Sequence, residues 1–171
     1  MHFKLVPTLA LSAIALAALA PMTAAQAQVT RVQGNPQGLI LDGADVQAGT
    51  DLFYLSGQLA SPVDPAKTFA EVKSIEDLGD TKTQTISTLK RIKTILEGRG
   101  YAMSDVIKLT LFVVADPKLG KMDFAGVNEG FKQFFKTAEN PNTVARSTFE
   151  VVALAGPYFL IEIEAIAAKK R

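Results

Sequence analysis

The stretch that decides the fold is the C-terminal segment 145–167. It reads Ala145-Arg146-Ser147-Thr148-Phe149-Glu150-Val151-Val152-Ala153, turns through Gly156-Pro157 and continues as Leu160-Ile161-Glu162-Ile163-Glu164-Ala165-Ile166-Ala167. Both runs are rich in β-branched and apolar residues and are bounded by turn residues, so they predict two adjacent strands. Arg146 and Glu162 lie among apolar neighbours, where a charge costs free energy unless it is paired or used.

Two helices and a further strand are predicted upstream of this segment. Residues 84–97 repeat apolar side chains every three or four positions and are followed by Gly98, which predicts an amphipathic helix. The apolar run 106–114 predicts a strand in a central position of a sheet. Apolar side chains at helical spacing predict a second helix from about 121 to 136.

The region before the first helix contains short strand-like pieces and a long loop. Residues 38–42, 44–47 and 51–58 predict a hairpin or meander followed by a buried strand. Residues 59–83 have weak periodicity and predict a long loop with a helical turn near 70–75. Loops of this length are usually functional or mobile.

This order of elements predicts an α+β fold, a mixed sheet with both helices packed on one face. The other face of the sheet would remain open. Because a partly apolar open face is stabilised by association, we expect a homo-oligomer.

The first 27 residues have the features of a secretory signal peptide. Lys4 supplies the positive end, residues 9–20 are almost all small and apolar, and Ala25-Gln26-Ala27 fits the cleavage pattern. We therefore predict a signal peptide at 1–27 and a single domain at 28–171, exported to a periplasm or, as an alternative, secreted. A retained membrane anchor is disfavoured because the apolar run is short.

The composition excludes several kinds of chemistry. The chain has no cysteine, and its only histidine, His2, lies in the predicted signal peptide. Catalysis by Ser-His-Asp or Cys-His, zinc sites of the Cys/His type and disulfides are thereby excluded. The 18 Lys and Arg residues nearly balance 17 Asp and Glu, so no strong field attracts nucleic acid or anionic lipid.

Six motifs in order resemble the RidA/YjgF family of imine deaminases. They are Leu55-Ser56-Gly57-Gln58, the helix 84–98, the strand 105–113, the helix 124–131, Ala145-Arg146-Ser147 and the strand 161–167. The resemblance implies a chorismate-mutase-like fold assembled as a homotrimer, with ligand clefts between neighbouring subunits. It implies no metal and no cofactor.

The resemblance also implies roles for five residues. Arg146 would bind the carboxylate of a 2-imino or enamine acid such as 2-iminopropionate or 2-aminoacrylate, and Glu162 would orient the attacking water. Asn128, Ser56 and Gly57 would line the cleft. The implied reaction is hydrolytic deamination to a 2-keto acid and ammonia. Independently of the family, a planar guanidinium suits a carboxylate because it offers two parallel donors.

The residues by themselves leave alternatives open. Arg146 would also fit an ion pair with Glu150, and Asn128 would fit a helix position that faces solvent. Glu162 and Glu164 share a strand face, which resembles the carboxylate pair of a glycosidase but is more often a solvated surface or an intersubunit ion pair.

Three departures from the family pattern affect the function. Residues 41–47 lack the Gly-Pro-aromatic-Ser segment that helps to close the cleft in many members, Val144 stands where a proline is usual, and the loop 59–83 is longer than usual. The alternative function is a trimeric protein that binds small carboxylates without catalysis, or that protects other exported proteins. Ribonuclease activity is disfavoured by the neutral charge and by the lack of histidine beyond His2.

Overall fold

The computed structural model describes residues 28–170, so the predicted signal peptide 1–27 lies outside the described residues. Eight helices and strands follow one another within residues 28–170: β1 (Val29–Val32), β2 (Gly43–Val46), β3 (Asp51–Leu59), α1 (Thr81–Gly98), β4 (Val106–Val114), α2 (Phe124–Phe131), β5 (Ala145–Val151) and β6 (Ile161–Lys169). Three short 3₁₀ turns lie at Phe69–Glu71, Ile75–Asp77 and Met103–Asp105.

The main sheet has the strand order β3-β6-β4-β5. β6 is antiparallel to β3 and β4, whereas β4 and β5 are parallel, so the sheet is mixed as predicted. The prediction that the last two strands are adjacent is wrong, because β4 lies between them. Parallel strands need a long crossover connection. The segment between β4 and β5, which contains α2, forms this crossover. The next strand, β6, then pairs with the other edge of β4.

Both helices pack on one face of this sheet, which confirms the predicted α+β architecture. The strand β4 alternates, and its residues Leu109, Leu111 and Val113 are buried against the helices. The helices contribute buried apolar side chains from one stripe each: Leu89, Ile92 and Leu96 from α1, and Val127 and Phe131 from α2. The core therefore lies between the sheet and the helix pair.

The opposite face of the sheet is open and carries large apolar side chains. Leu52 and Tyr54 on β3 are 42% and 69% exposed, and Phe149 on β5 is 52% exposed. These exposures correct the prediction that residues 51–58 form a buried strand. β3 is an edge strand of the four-stranded sheet, so only one of its faces is covered.

The N-terminal strands form a separate hairpin beside β5. β1 pairs with β2 in antiparallel register, so the partner of β2 is the segment 29–32 and not the predicted segment 38–42. The predicted strand at 38–42 is absent, and Leu41 instead forms an isolated bridge with Ala145. The Leu41 N–H donates to the carbonyl of Val144 at 2.9 Å. The segment 41–47 thus begins next to the residue that precedes Arg146.

Capping residues explain why the helix boundaries differ from those predicted. α1 begins at Thr81 rather than at Gln84 because Asp80 caps it, accepting from the Thr83 N–H at 2.8 Å. α2 begins after Asp123, which accepts from the Gly126 N–H at 2.9 Å, and it is shorter than predicted. Its apolar pattern continues into turns beyond Phe131, where Phe135 is still buried. An apolar pattern thus marks packing positions even where the helix has ended.

The loop predicted at 59–83 is held by local hydrogen bonds. The helical turn expected near 70–75 is present as two 3₁₀ turns. Asp77 organises the loop, since its carboxylate accepts from Lys67 Nζ at 2.6 Å and from the Lys73 N–H at 2.8 Å. Within residues 28–170, no helix combines the length and the apolar character that crossing a bilayer requires.

A buried glutamine fixes the connection between β5 and β6. Gln84 Nε2 donates to the carbonyls of Gly79 and Tyr158, each at 3.0 Å, and its Oε1 accepts from the Leu160 N–H at 2.9 Å. All of its polar atoms are engaged, so its burial carries no unsatisfied group. α1 is thereby tied to the start of β6.

Candidate functional site

Arg146 projects from β5 towards the helices. Its cross-strand partner Leu109 is fully buried on the core face, and paired residues share a face of the sheet. Arg146 Nη2 donates to Asn128 Oδ1 at 2.7 Å. Two residues predicted for the site are therefore in contact, and the alternative of a solvent-facing Asn128 is wrong.

Two aromatic rings of α2 cover the guanidinium of Arg146. The guanidinium carbon lies 4.7 Å from the ring centre of Phe131 and 5.6 Å from that of Phe124. Such contacts stabilise a cation that has lost part of its water. Neither phenylalanine was predicted for the site. Their spacing contained the signal, because Phe124, Asn128 and Phe131 lie on one helix face.

The charge of Arg146 is not balanced by any carboxylate in the described part of the chain. Arg146 takes part in none of the ion pairs of residues 28–170. Its Nη1 is buried and has no hydrogen-bond partner. Burial lowers the pKa of Arg146 from its usual value, which reflects a guanidinium that has lost solvent. An anion with two oxygens would supply what this side chain lacks.

Glu150 is not the partner of Arg146, so the ion-pair alternative is wrong. The Glu150 carboxylate instead accepts from the Met122 N–H at 2.6 Å. It therefore holds the segment that leads into α2. Arg146 remains available to a ligand.

Close packing of α2 against α1 positions Asn128 above Arg146. A Cβ at Gly130 would lie 2.8 Å from Thr85 Cβ of α1, nearer than side chains pack. Glycine at this position thus permits the close approach of the two helices. Asn128 lies between Gly126 and Gly130, both of which are buried.

A second cluster, formed by Ser56, Gly57 and Glu162, lies on the open face of the sheet. Leu55 pairs with Ala165 and Gln58 with Ile163, so Ser56 and Gly57 form a bulge in β3. A Cβ at Gly57 would overlap the Glu162 carboxylate, which shows how closely that carboxylate approaches the bulge backbone. Bulges are common beside active sites because they redirect the chain.

Arg146 and Glu162 lie on opposite faces of the sheet within one chain. Arg146 pairs with Leu109, which in turn pairs with Ala165, so these three side chains share the core face. Glu162 pairs with Phe112. Since Ala165 and Glu162 are three residues apart on β6, their side chains point to opposite faces. A single chain does not bring Arg146 and Glu162 together. Glu164 shares the open face with Glu162, as predicted.

No group of three or more His, Cys, Asp and Glu side chains within residues 28–170 has an arrangement that could hold a metal ion. The polar groups of the two clusters are a guanidinium, a carboxamide, a hydroxyl, backbone amides and a carboxylate. These groups suit recognition of a carboxylate and positioning of a water molecule.

Comparisons with known proteins found similar sequences over most of the chain. The family described as Endoribonuclease L-PSP matches residues 45–169. A RutC family protein of Pyrococcus horikoshii is 41% identical over 125 residues, which are 73% of this chain and 84% of the relative. The 2-iminobutanoate/2-iminopropanoate deaminase of Salmonella typhimurium is 38% identical over 133 residues, 78% of this chain and 89% of the relative.

Solved structures share the fold. A structure of the Rid protein YyfB from Yersinia pestis has a TM-score of 0.63 at 23% identity and covers 84% of this chain and 100% of its own, which shows the fold alone. The structure of Escherichia coli TdcF with bound serine has a TM-score of 0.54 at 31% identity, covering 82% of this chain and 94% of its own.

Proposed function

The chain belongs to the Endoribonuclease L-PSP family, also called RidA/YjgF, and we propose that it hydrolyses 2-imino acids and their enamine tautomers to 2-keto acids and ammonia. The observation that carries the proposal is Arg146, a half-buried cation whose Nη1 is buried and has no hydrogen-bond partner. Relatives named as deaminases of 2-iminobutanoate and 2-iminopropanoate support it, as does the serine bound in the TdcF structure.

The carboxylate of the substrate binds the guanidinium of Arg146. Asn128 occupies Nη2 and fixes the plane of the guanidinium, while Nη1 lacks a partner. A charge-assisted hydrogen bond to a partly dehydrated guanidinium contributes about 1.5 to 3 kcal/mol. This interaction holds the imine carbon at a defined distance from the sheet, and such positioning supplies most of the catalysis because the imine is already electrophilic.

Water then adds to the imine carbon. Glu162 accepts a hydrogen bond from that water and takes its proton as the C–O bond forms. Glu162 passes this proton to the imine nitrogen, which gives a carbinolamine. The hydroxyl proton of the carbinolamine then moves to the nitrogen, the C–N bond breaks, and ammonia leaves as the C=O bond of the keto acid forms. This sequence conserves atoms and electrons and needs one water molecule for each imine.

The proposed site is completed by a second copy of the chain. Arg146 and Glu162 lie on opposite faces, so Glu162 of one copy would meet Arg146 of the next. The open face of the sheet, with Leu52, Tyr54 and Phe149 exposed, is suited to such an assembly. A homotrimer with clefts between its subunits is therefore part of the proposal, as is export of the chain after removal of residues 1–27.

The test is the decay of 2-iminopropionate produced in situ by an amino-acid oxidase, with wild type, Arg146→Ala and the control Arg91→Ala. Arg91 is an exposed arginine on α1, so its loss tests nonspecific effects of charge. We expect wild type and the control to accelerate decay and Arg146→Ala to lose about 10- to 150-fold in kcat/KM, the equivalent of one charged hydrogen bond.

A different result would support the non-catalytic alternative. If the folded wild-type protein binds 2-keto acids through Arg146 but leaves the rate of imine decay unchanged, the protein is a carboxylate-binding protein. If it neither binds keto acids nor accelerates decay, the function of Arg146 proposed here is wrong.

A further inference from the structure

Lys136 has an unusual backbone conformation at the end of the turns that follow α2. Among residues 28–170 it is the only residue other than glycine with a positive φ, which is 57°. A Cβ atom disfavours this left-handed conformation, and glycine is the usual residue where a helical segment ends in it. A strained residue of this kind persists where the surrounding structure requires it, so the side chain of Lys136 should have a use that glycine could not supply.

The ammonium group of Lys136 binds a turn from the N-terminal part of the domain. Lys136 Nζ donates to the carbonyl of Pro36 at 2.8 Å and to that of Gly38 at 2.7 Å. The turn itself is closed by a bond of 2.8 Å from the Gly38 N–H to the carbonyl of Asn35. None of the ion pairs within residues 28–170 involves Lys136. Lys136 thus fastens the turn 35–38 to the segment that follows α2.

The same two segments are in contact as far as the arginine of the proposed site. Two more hydrogen bonds join them, from Thr143 Oγ1 to the Leu39 carbonyl at 2.6 Å and from the Leu41 N–H to the Val144 carbonyl at 2.9 Å. Leu41 also forms a bridge with Ala145, which directly precedes Arg146. The contact that includes Lys136 therefore extends along the backbone that leads into Arg146.

A pair of stacked aromatic rings connects Lys136 with the guanidinium by a second route. Phe135 directly precedes Lys136, and its ring stacks on that of Phe131 with 4.5 Å between the ring centres. Phe131 in turn lies against Arg146, with 4.7 Å between its ring centre and the guanidinium carbon. Both rings are almost fully buried. Because closely packed rings do not shift independently, the backbone at Lys136 affects the position of the ring that contacts the guanidinium.

We propose that Lys136 is a positioning residue of the proposed site. By holding the turn 35–38 against the segment that follows α2, it fixes the backbone before Arg146 and the aromatic pair beside the guanidinium. Groups that are ordered before binding do not have to be ordered by the ligand, so a carboxylate binds more tightly to a guanidinium that is already fixed. The inference rests on the proposed function, because it gives Lys136 a part in binding the same carboxylate.

Replacing Lys136 with glycine separates this role from a merely structural one. Lys136→Gly removes the ammonium group and relieves the left-handed backbone, so the protein would gain stability if Lys136 served only to end the turns. Lys136→Met removes the ammonium group and keeps a long side chain, whereas Lys136→Arg keeps the positive charge and the donors. The matched control is Lys132→Met, which removes an exposed lysine at the end of α2.

Three quantities are measured for each variant: the Kd for pyruvate by titration calorimetry, hydrogen exchange of the Leu41 amide and the midpoint of thermal unfolding. We expect Lys136→Gly and Lys136→Met to bind pyruvate about fivefold more weakly, the equivalent of one lost hydrogen bond, and to exchange the Leu41 amide faster than wild type. Lys136→Gly should nevertheless keep at least the thermal midpoint of wild type. Lys136→Arg and Lys132→Met should keep the affinity of wild type.

Two results would overturn the inference while the proposed function stands. One is that Lys136→Gly and Lys136→Met bind pyruvate as tightly as wild type does. The other is weaker binding with unchanged exchange at Leu41, because the turn 35–38 would then not be the link to Arg146. If wild type itself does not bind pyruvate, the proposed function fails, and the inference fails with it.

Discussion

Arg146 is distinguished by what surrounds its guanidinium. Two aromatic rings and one carboxamide contact it, and no carboxylate of residues 28–170 pairs with it. A half-buried charge without an ionic partner costs stability, and such an arrangement is typical of a site where a ligand supplies the partner. Asn128 is suited to this because its oxygen orients the guanidinium without neutralising it.

Replacing Asn128 with aspartate tests whether Asn128 orients Arg146 while the ligand supplies the negative charge. Asn128→Asp keeps the shape of the side chain and adds a carboxylate at the 2.7 Å contact with Arg146 Nη2. The new ion pair competes with the substrate carboxylate, and we expect KM for the imine to rise about tenfold, equivalent to about 1.4 kcal/mol. Steady-state kinetics check this, with Gln133→Glu as a control for an added acid on an exposed position. An unchanged KM would mean that the substrate does not bind at this guanidinium.

At the scale of elements, the approach of α2 to α1 determines the height of Asn128 above the sheet. Gly130→Ala adds a methyl group within 2.8 Å of Thr85 Cβ and 3.2 Å of the Lys82 carbonyl. Overpacking of this kind costs about 1 to 3 kcal/mol, so we expect a lower midpoint of urea unfolding and weaker binding of 2-keto acids. Thr85→Ser in the same chain removes a methyl group from the contact and should restore part of both losses. If the second substitution restores neither, the contact between the helices is not the cause.

The loop between β3 and α1 has a pH dependence that follows from Asp77. The hydrogen bond from Lys67, followed by the bond from the Lys73 N–H, holds the pKa of Asp77 below its usual value. Because the folded-state pKa is the lower one, the stabilisation is complete above the unfolded-state pKa of about 3.9 and is lost as the pH falls through the folded-state value. We expect the Lys73 amide to lose protection from hydrogen exchange in this acid range only. Asp77→Ala removes both acceptor oxygens and should remove the protection at neutral pH as well, and protection that survives in Asp77→Ala would contradict this account.

At the scale of the whole molecule, the opposite orientation of Arg146 and Glu162 makes complementation a test of the assembly. Arg146→Ala and Glu162→Gln should each have a strongly reduced rate alone. When the two variants are co-expressed, clefts that join Arg146 of one copy to Glu162 of another are intact, so part of the wild-type rate should return. Imine decay and sedimentation of the mixed oligomer check this. Oligomers that contain both chains and remain inactive would show that Glu162 does not act across a subunit boundary.

Much of the fold could be predicted because its elements have local signals. β4 has the predicted bounds 106–114, and both helices pack on one face of a mixed sheet. The errors arose where non-local pairing decides the outcome. Residues 51–58 are apolar enough for a buried strand, yet β3 lies at an edge. The last two strands are consecutive in the chain, yet β4 separates them in the sheet.

The candidate site was predictable only in part, because some of its residues have local signals and others are recognised only from tertiary contacts. The motif around Arg146 identified a cation among apolar residues, and Asn128 lies on the helix that covers it. The two phenylalanines over the guanidinium were missed because an apolar side chain at helical spacing is usually a core residue. Only the packing distances distinguish the two roles.

The sequence by itself determined the class of fold, the family and the chemical types available to the site, because apolar periodicity, turn residues and composition act locally or add up over the chain. The tertiary structure decided which of these residues meet. It placed Asn128 on Arg146, left Nη1 without a partner, and put Glu162 on the other face of the sheet. The physical reason is that burial, desolvation and face depend on pairing register and on helix packing, which bring together residues that are distant in the chain.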